Sequence, residues 1–593
     1  MGGTSGPRQI RLPRPQDLDR ARHGGPAAGK NGVLLDLSTL PLDDRPTYAM
    51  LGRGETSGVF QLESTGMRDV LRGLKPDTLE DIIAVVALYR PGPMDNIPSY
   101  IKRKNGEEEV VYLHPDLESI LKETYGILIY QEQVMQAAQI MAGYSLGGAD
   151  LLRRAMGKKI QAEMDEQRAI FVQGAKARGT AEAKASEVFD QIAKFAGYGF
   201  NKSHAAAYAL VAYHTAYLKA NHPVEFMAAT MTYDMHNTDK LAAFKVELRR
   251  LGIPLLGPDV NHSEAQFSVE DGAVRYALGA IRNVGEAAMA ALVAERTANG
   301  RFRSLADFVS RIDPRLVNRR LLENLIKAGA LDSLHPDRGA LMANVEVLMR
   351  HAQTAAEDRA SSQSSLFGGP GSGGVPLKLA PATAWSVTET LTREREAIGF
   401  YLSAHPLDVY GEALERLDVV PLALLAGHLR NGGSGGVRLA VTPGARKERI
   451  GKSGNRYAFV EMSDATGTVE GMMFSEVLAL SRETLDLGRP LLVRVDARLE
   501  GEEVRMLIQG VELLDDAVAR ATHRIKVTLR EASPVPALRD LLSRDGVGNR
   551  TVILVAVLED KEVEIRLKDG FALKAQTLAA LRDLPGIVGV REV

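Results

Sequence analysis

Two stretches of this 593-residue chain cannot join any hydrophobic core, and they divide everything else into units. "QTAAEDRASSQSSLFGGPGSGGVPL" falls between His351 and about Ala384, and "NGGSGG" spans Asn431 to Gly436. Their Gly, Ser and Pro content is that of a linker, because such residues bury little surface and keep the backbone mobile. The sequence on either side must therefore build separate cores. A prior of about 150 residues per domain gives roughly three to five of them. With 45% hydrophobic and 25% charged residues, the rest of the chain is ordinary globular material.

Periodicity assigns a class to each unit. From 35 to 258 the apolar residues recur at three- and four-residue steps, as in "TLEDIIAVVALY" (Thr78 to Tyr89) and "LIYQEQVMQAAQIMAGY" (Leu128 to Tyr144), which predicts a large, mostly α-helical domain. "YALGAIRNVGEAAMAALVAER" (Tyr276 to Arg296) and "LVNRRLLENLIKAGALDSL" (Leu316 to Leu334) extend the helical pattern over 259–350. The linker is read over 351–384 and a helical connector over 385–430. Within 431–515, "NRYAFVEMSD", "GTVEGMMF" and "RPLLVRVDARLEG" alternate as strands do, and about five strands in ~80 residues suit a β-barrel of the OB-fold type. The tail, 516–593, reads as a small α+β unit. The first 34 residues show no apolar period and read as unfolded.

Several chemistries are excluded at once. The chain has no cysteine, so disulfides, thiolate metal sites and cysteine nucleophiles are out, and a cytoplasmic location is expected. No apolar run approaches the ~18 residues of a membrane span, so no membrane contact is expected. The formal net charge is −2, which leaves nucleic-acid binding to local basic surfaces.

Such surfaces are present. In "GYGFNKSHAAAYAL" a glycine turn delivers Lys202, Ser203 and His204 to the start of an alanine-rich helix. Ser203 is expected to be the N-cap, and the helix amides with Lys202 and His204 to attract a phosphate. An ordinary serine cap explains the same residues. "GGADLLRRAMGKK" sets Arg153 and Arg154 on a helix ahead of Lys158 and Lys159, four cations with few local acids, able to grip a triphosphate or simply to form a solvated face. In "AIRNVGEAAM" the glycine turn has a helix-hairpin-helix look, by which backbone amides approach a DNA phosphate, although a plain helical hairpin fits too. "RKERIGKSGNRYAF" is a basic loop entering a strand with Tyr457 and Phe459, suited to single-stranded nucleic acid or to burial. Its "GKS" has Arg446 where a P-loop needs glycine, which excludes that nucleotide site. Leu366 and Phe367 in "QSSLF" have no core to join, so a partner's pocket is a possible destination.

Five ordered motifs, "ETSGVFQLESTGMRDVLRGLKPD", "ALYRPGPMD", "TYGILIYQEQVMQ", "GGADLLRRAMGKK" and "FAGYGFNKSHAAAYALVAY", closely resemble the bacterial DNA polymerase III alpha-subunit family, the C-family replicative polymerases. The resemblance runs from about Leu40 to the C-terminus and is strongest up to about Ser333. It implies that 35–258 is the fingers domain, with Arg153, Arg154, Lys158, Asn201, Lys202, Ser203 and His204 at the nucleotide. It further implies that 259–350 is a helix-hairpin-helix region binding duplex DNA. Arg282, Asn283, Gly285, Arg319 and Arg320 there, and Lys452, Arg456 and Tyr457 on the OB-fold, are the DNA-binding candidates. Gln363, Leu366 and Phe367 correspond to the peptide that binds the sliding clamp, and 516–593 to the region that binds the clamp-loader tau subunit. Primer-template DNA and dNTP are the implied substrates; a proofreading subunit is not expected on this fragment.

The family's chemistry needs palm carboxylates that hold Mg2+, and the palm precedes the fingers. None is recognisable here, so no catalytic or metal-binding residue is assigned and no Mg2+ is expected on this chain alone. The family's last palm motif, Lys-Phe-Asp-Phe-Leu-Gly-Leu-Lys-Thr-Leu, should stand near residues 9 to 18, where the chain reads "IRLPRPQDL" (Ile10 to Leu18). Codons ATT CGA CTT CCT CGG CCT CAA GAC CTT after two adenines would yield that motif in the neighbouring frame. The first 34 residues are accordingly expected to be out of frame. Two functions follow: the C-terminal part of a template-directed DNA polymerase, inactive alone, or a non-catalytic DNA- and clamp-binding module working beside a separate palm-bearing chain.

Overall fold

The computed structural model describes residues 35–158, 161–196, 198–360, 377–451, 456–500, 503–521, 524–558 and 561–592. Residues 1–34, Gln363, Leu366, Phe367 and Lys452 lie outside them. The chain divides into two compact units, one running to Asp234 and taking in Glu247–Leu256 and Phe267–Arg275, the other formed by Met235–Val246, Gly257–Gln266 and everything from Tyr276 onward.

In the first unit, "LEDIIAVVAL" forms the helix Leu79–Leu88 because Thr78 and Asp81 close a capping box at its start. Every residue from Asp81 to Leu88 is buried, so this helix is the centre of a core and not a surface element. The helix Lys202–Asn221 packs on it through Ala205, Ala209, Ala212 and Ala216, small residues on one face that let two backbones approach closely. A second core joins the helices Gln131–Ala142, Leu146–Lys158, Gln161–Ala177 and Glu182–Ala196 through Val134, Leu152, Phe171, Phe189 and others. Gly174 sits where the third of these crosses the first; a Cβ there would collide with the carbonyl of Ala142. Three short strands complete the unit: β1 (Leu255–Leu256) pairs in parallel with β3 (Ala273–Arg275), which pairs antiparallel with β2 (Ser268–Glu270).

The second unit continues helical through Glu286–Asn299, Leu305–Arg311, Arg319–Lys327, Arg338–Ala343 and Val345–Ala360. The last of these corrects the sequence reading, which began the linker at 351. "HAQTAAEDRA" carries strong helix formers and no glycine, and Ala352 is fully buried, so the helix runs on through residue 360. Beyond the described gap, Ala380 is tied by both backbone groups to the Asn344 side chain, which places ordered chain inside the stretch read as linker to 384.

Five strands then close a barrel in the order β4-β5-β6-β8-β7: β4 (Gly436–Ile450), β5 (Arg456–Ser463), β6 (Thr468–Phe474), β7 (Leu491–Glu500) and β8 (Glu503–Leu513). Strand alternation sends Ala458, Val460 and Met462 into its core, leaving Tyr457, Phe459 and Glu461 outside. The helix Leu514–Ala521 packs through Leu514, Ala517 and Val518 against Ala440 and Leu492 of the barrel strands. The C-terminal unit therefore starts at about residue 524 in packing terms, not at 516. Its four strands, β9 (Arg524–Leu529), β10 (Val547–Leu558), β11 (Lys561–Phe571) and β12 (Ile587–Glu592), lie in the order β11-β10-β9-β12 under the helices Val535–Arg544 and Ala575–Arg582.

Candidate nucleotide and nucleic-acid interface

The turn before the helix Lys202–Asn221 is fixed from outside. Phe200 makes a parallel bridge with Tyr130: its N–H donates to the Ile129 carbonyl at 3.1 Å and its carbonyl accepts the Gln131 N–H at 2.9 Å. That pairing keeps the chain extended as far as Asn201, so the helix starts at Lys202 and Asn201 becomes the cap, its Oδ1 accepting the His204 N–H at 2.8 Å. This corrects the expectation for Ser203, which lies inside the first turn. The choice between two capping residues two positions apart was made by a distant strand-like contact, not by local preference.

The same bridge gathers the two basic clusters. Gln131 donates from Nε2 to the Gly199 carbonyl at 3.0 Å and accepts Arg153 Nη1 at 3.4 Å. Arg153, Arg154 and Lys158 all lie on the helix Leu146–Lys158. The cations are not bare. Asp150 accepts Arg153 Nη2 and Arg154 Nη2, each at 2.8 Å. Glu123 accepts Lys202 Nζ at 2.7 Å, and Glu132 accepts Asn201 Nδ2 at 2.9 Å and the Lys202 N–H at 3.0 Å. Hydrogen bonding from Arg153, with the charges of both arginines, holds the Asp150 carboxyl below the usual carboxylate range. Sequence reasoning counted few acids near these arginines. Asp150 was visible at the i−3 and i−4 spacing; Glu123 and Glu132 carried no local signal.

Beside this cluster runs a ladder of rings. Phe60 meets Tyr208 at 5.7 Å between centroids, Tyr208 meets His204 at 4.5 Å, His204 meets Phe200 at 5.4 Å, and the Arg90 guanidinium covers Phe200 at 4.3 Å. Flat π-faces next to paired cations are what a nucleotide, half base and half phosphate, requires.

In the second unit Asn283 takes a left-handed φ of 60° and Gly285 caps the helix Glu286–Asn299, forming a tight turn between the short 3-10 segment Leu278–Ala280 and that helix. Arg282 donates its N–H to Ala397 and reaches Thr238 Oγ1 at 3.2 Å. Arg319 is held by Glu323 and Glu346, while Arg320 is exposed on the same helix. On the barrel, Tyr457 and Phe459 meet edge to face at 5.7 Å on the outer surface, with Arg449 over Phe459 at 5.7 Å. Register puts Arg449 and Phe474 on either side of Tyr457, and Phe474 is 52% exposed. Arg449 and Phe474 were missed from sequence because cross-strand neighbours are set by register. Arg456 is exposed at the start of the same strand.

The model of the bacterial DNA polymerase III alpha subunit finger domain matches residues 27–179, and a helix-hairpin-helix motif matches residues 252–341. A DNA polymerase III subunit alpha of Caulobacter vibrioides is 46% identical over 567 residues, 95% of this chain and 49% of that protein. Those of Thermus aquaticus and Escherichia coli are 44% and 38% identical, covering 93% and 97% of this chain and 44% and 50% of theirs. The chain belongs to the DNA polymerase III alpha-subunit family. It spans about half the length of the curated relatives it matches.

Among the described residues no three His, Asp or Glu side chains group so as to hold a metal ion, and no helix is long and apolar enough to cross a membrane. Asp150 and Glu123 face cations, and Glu132 accepts from the Lys202 N–H and the Asn201 side-chain amide.

Proposed function

We propose that this chain supplies the nucleotide-gripping, duplex-holding, single-strand and clamp contacts of a replicative DNA polymerase acting on primer-template DNA and dNTP. The observation that carries it is the Gln131 link, which ties Arg153 to the turn preceding His204 and sets two basic clusters beside an aromatic ladder. In this reading Arg153 and Arg154 take the triphosphate by charge-assisted bonds, and His204 and Tyr208 present ring faces to a base. The turn around Asn283 and Gly285 offers backbone amides to a DNA phosphate, a contact that positions without reading sequence. The barrel acts as an OB-fold, stacking unpaired bases on Tyr457, Phe459 and Phe474.

Gln363, Leu366 and Phe367 anchor the chain to the sliding clamp, and the C-terminal sheet unit meets the clamp-loader tau subunit. The work is cytoplasmic. Magnesium would stabilise the charge that develops as phosphate is transferred, and its carboxylates belong to a palm supplied by another segment or chain. The full chain alone should bind primed DNA yet extend no primer in magnesium buffer. With a palm-bearing partner restored, Arg153→Ala and Arg154→Ala should each lower kcat/KM for nucleotide by about tenfold or more while DNA affinity changes little. Equal losses in both measurements would make these arginines structural. Extension by the chain alone would overturn the division of labour.

A further inference from the structure

The phosphate reading leaves three acids unexplained. A phosphate site gains nothing from carboxylates, yet Glu132, Glu123 and Asp150 each touch a group assigned to the triphosphate. What they do there is specific. The Glu132 carboxylate spans both oxygens across the Lys202 N–H and adds Asn201 Nδ2, crossing from one helix to the first turn of another. Asp150 uses one oxygen for Arg153 and the other for Arg154, as a phosphate bridging two guanidinium groups would. Arg153 and Asp150 keep 27% and 33% of their side-chain surface, so the arrangement opens to solvent.

We propose that Asp150, between the two arginines, and Glu132, on the amides of the helix start, are built-in anions of the nucleotide site, holding its phosphate-binding groups in place while it is empty and giving way to a chain of phosphates but not to a single one. The proposal rests on the reading of these groups as a triphosphate grip. A tethered carboxylate competes at an effective concentration of about millimolar or above. A lone phosphate that displaces one carboxylate exchanges one anion for another at little gain. A triphosphate, with roughly four charges, replaces both carboxylates together and spans the arginine pair, Lys202 and the helix start in one binding event. The acids therefore raise the number of charges a ligand must bring, which makes them specificity-determining residues. Asp150 also spares the empty site the mutual repulsion of Arg153 and Arg154.

The test is calorimetry on the full chain with inorganic tripolyphosphate and, separately, inorganic phosphate. Asp150→Asn and Glu132→Gln keep an acceptor oxygen while removing the charge. Asp150→Asn should tighten tripolyphosphate binding by roughly twofold to fivefold, the effect expected of a partly exposed ion pair, and Glu132→Gln by a similar factor, through loss of the charge on its bonds to the Lys202 N–H and Asn201. The double variant should multiply the two effects and narrow the preference for tripolyphosphate over phosphate. Thermal melting identifies any variant that fails to fold, and the other single variant then decides. Unchanged or weaker tripolyphosphate binding in the folded variants overturns the proposal, as does the absence of binding in parent and variants alike. Arg153→Ala separates the two readings: if it weakens tripolyphosphate binding while the acid variants do nothing, the nucleotide site stands and the counter-anion role falls. If Arg153→Ala binds as the parent does, the nucleotide reading itself fails.

Discussion

The Lys219 ammonium lies 2.6 Å from the Glu247 carboxylate with its own side chain wholly out of solvent, and it donates a second hydrogen bond to the Ser57 carbonyl at 2.8 Å. A buried lysine survives there because both its partners are fixed, Glu247 being shared with Arg250. Glu247→Ala would leave the ammonium with a single neutral acceptor. It should destabilise the first unit by about 3 kcal/mol, read from the shift in urea midpoint. Glu247→Gln should cost less, because an acceptor oxygen remains.

The same pair sets a pH dependence. Burial would push Glu247 up, but the hydrogen bonds from Arg250 and Lys219 bring it below the usual glutamate range; hydrogen bonding from Arg53 lowers Glu55 likewise. For both, the unfolded chain holds more protons than the folded one just below about pH 4.3, so their contribution is complete above that value and is lost as pH falls through the folded pKa. Urea titrations between pH 6 and 3 should show falling stability, and Glu247→Gln should flatten the fall.

Asn201 and Ser203 give a sharper contrast. Asn201→Ala removes the cap acceptor for His204 and the donor to Glu132, and should cost about 1 kcal/mol or more. Ser203→Ala, inside the first turn, should stay within about 0.5 kcal/mol of the parent. Reversed magnitudes in denaturant melts would return the cap to the serine.

On the barrel, Phe459→Ala should weaken single-stranded oligonucleotide binding by about 1–3 kcal/mol, the usual worth of one stacked base. Arg449→Ala should lower the salt dependence of that binding by about one counter-ion. Fluorescence anisotropy at several salt concentrations measures both, and a purely structural Phe459 would instead lower the melting temperature without a change in binding.

Replacing both Leu366 and Phe367 by alanine should remove most affinity for the sliding clamp, on the order of 2–4 kcal/mol for hot-spot anchors, with no change in melting temperature. Calorimetry against the clamp and a melt of the same variant check it. Undiminished clamp binding, or none by the parent chain, would overturn the proposed clamp contact of these residues.

Local pattern carried much of this protein. The three- and four-residue steps in "TLEDIIAVVALY", the alternation in "NRYAFVEMSD" and the runs around Arg153 and His204 state helix, strand and family directly, because each depends on neighbours a few residues apart. Where the linker began was harder to read. Composition suggested 351, whereas the burial of Ala352 against its own unit carried the helix to residue 360. The cap at Asn201 and the carboxylate of Glu132 needed the fold itself. Glu132 stands 69 and 70 residues from the groups it holds, and Phe200 is aligned by a bridge to Tyr130. Which acid meets which cation, and which arginine lies beside Tyr457, are matters of packing and register. They are fixed when distant segments come together, and no period in the sequence records them.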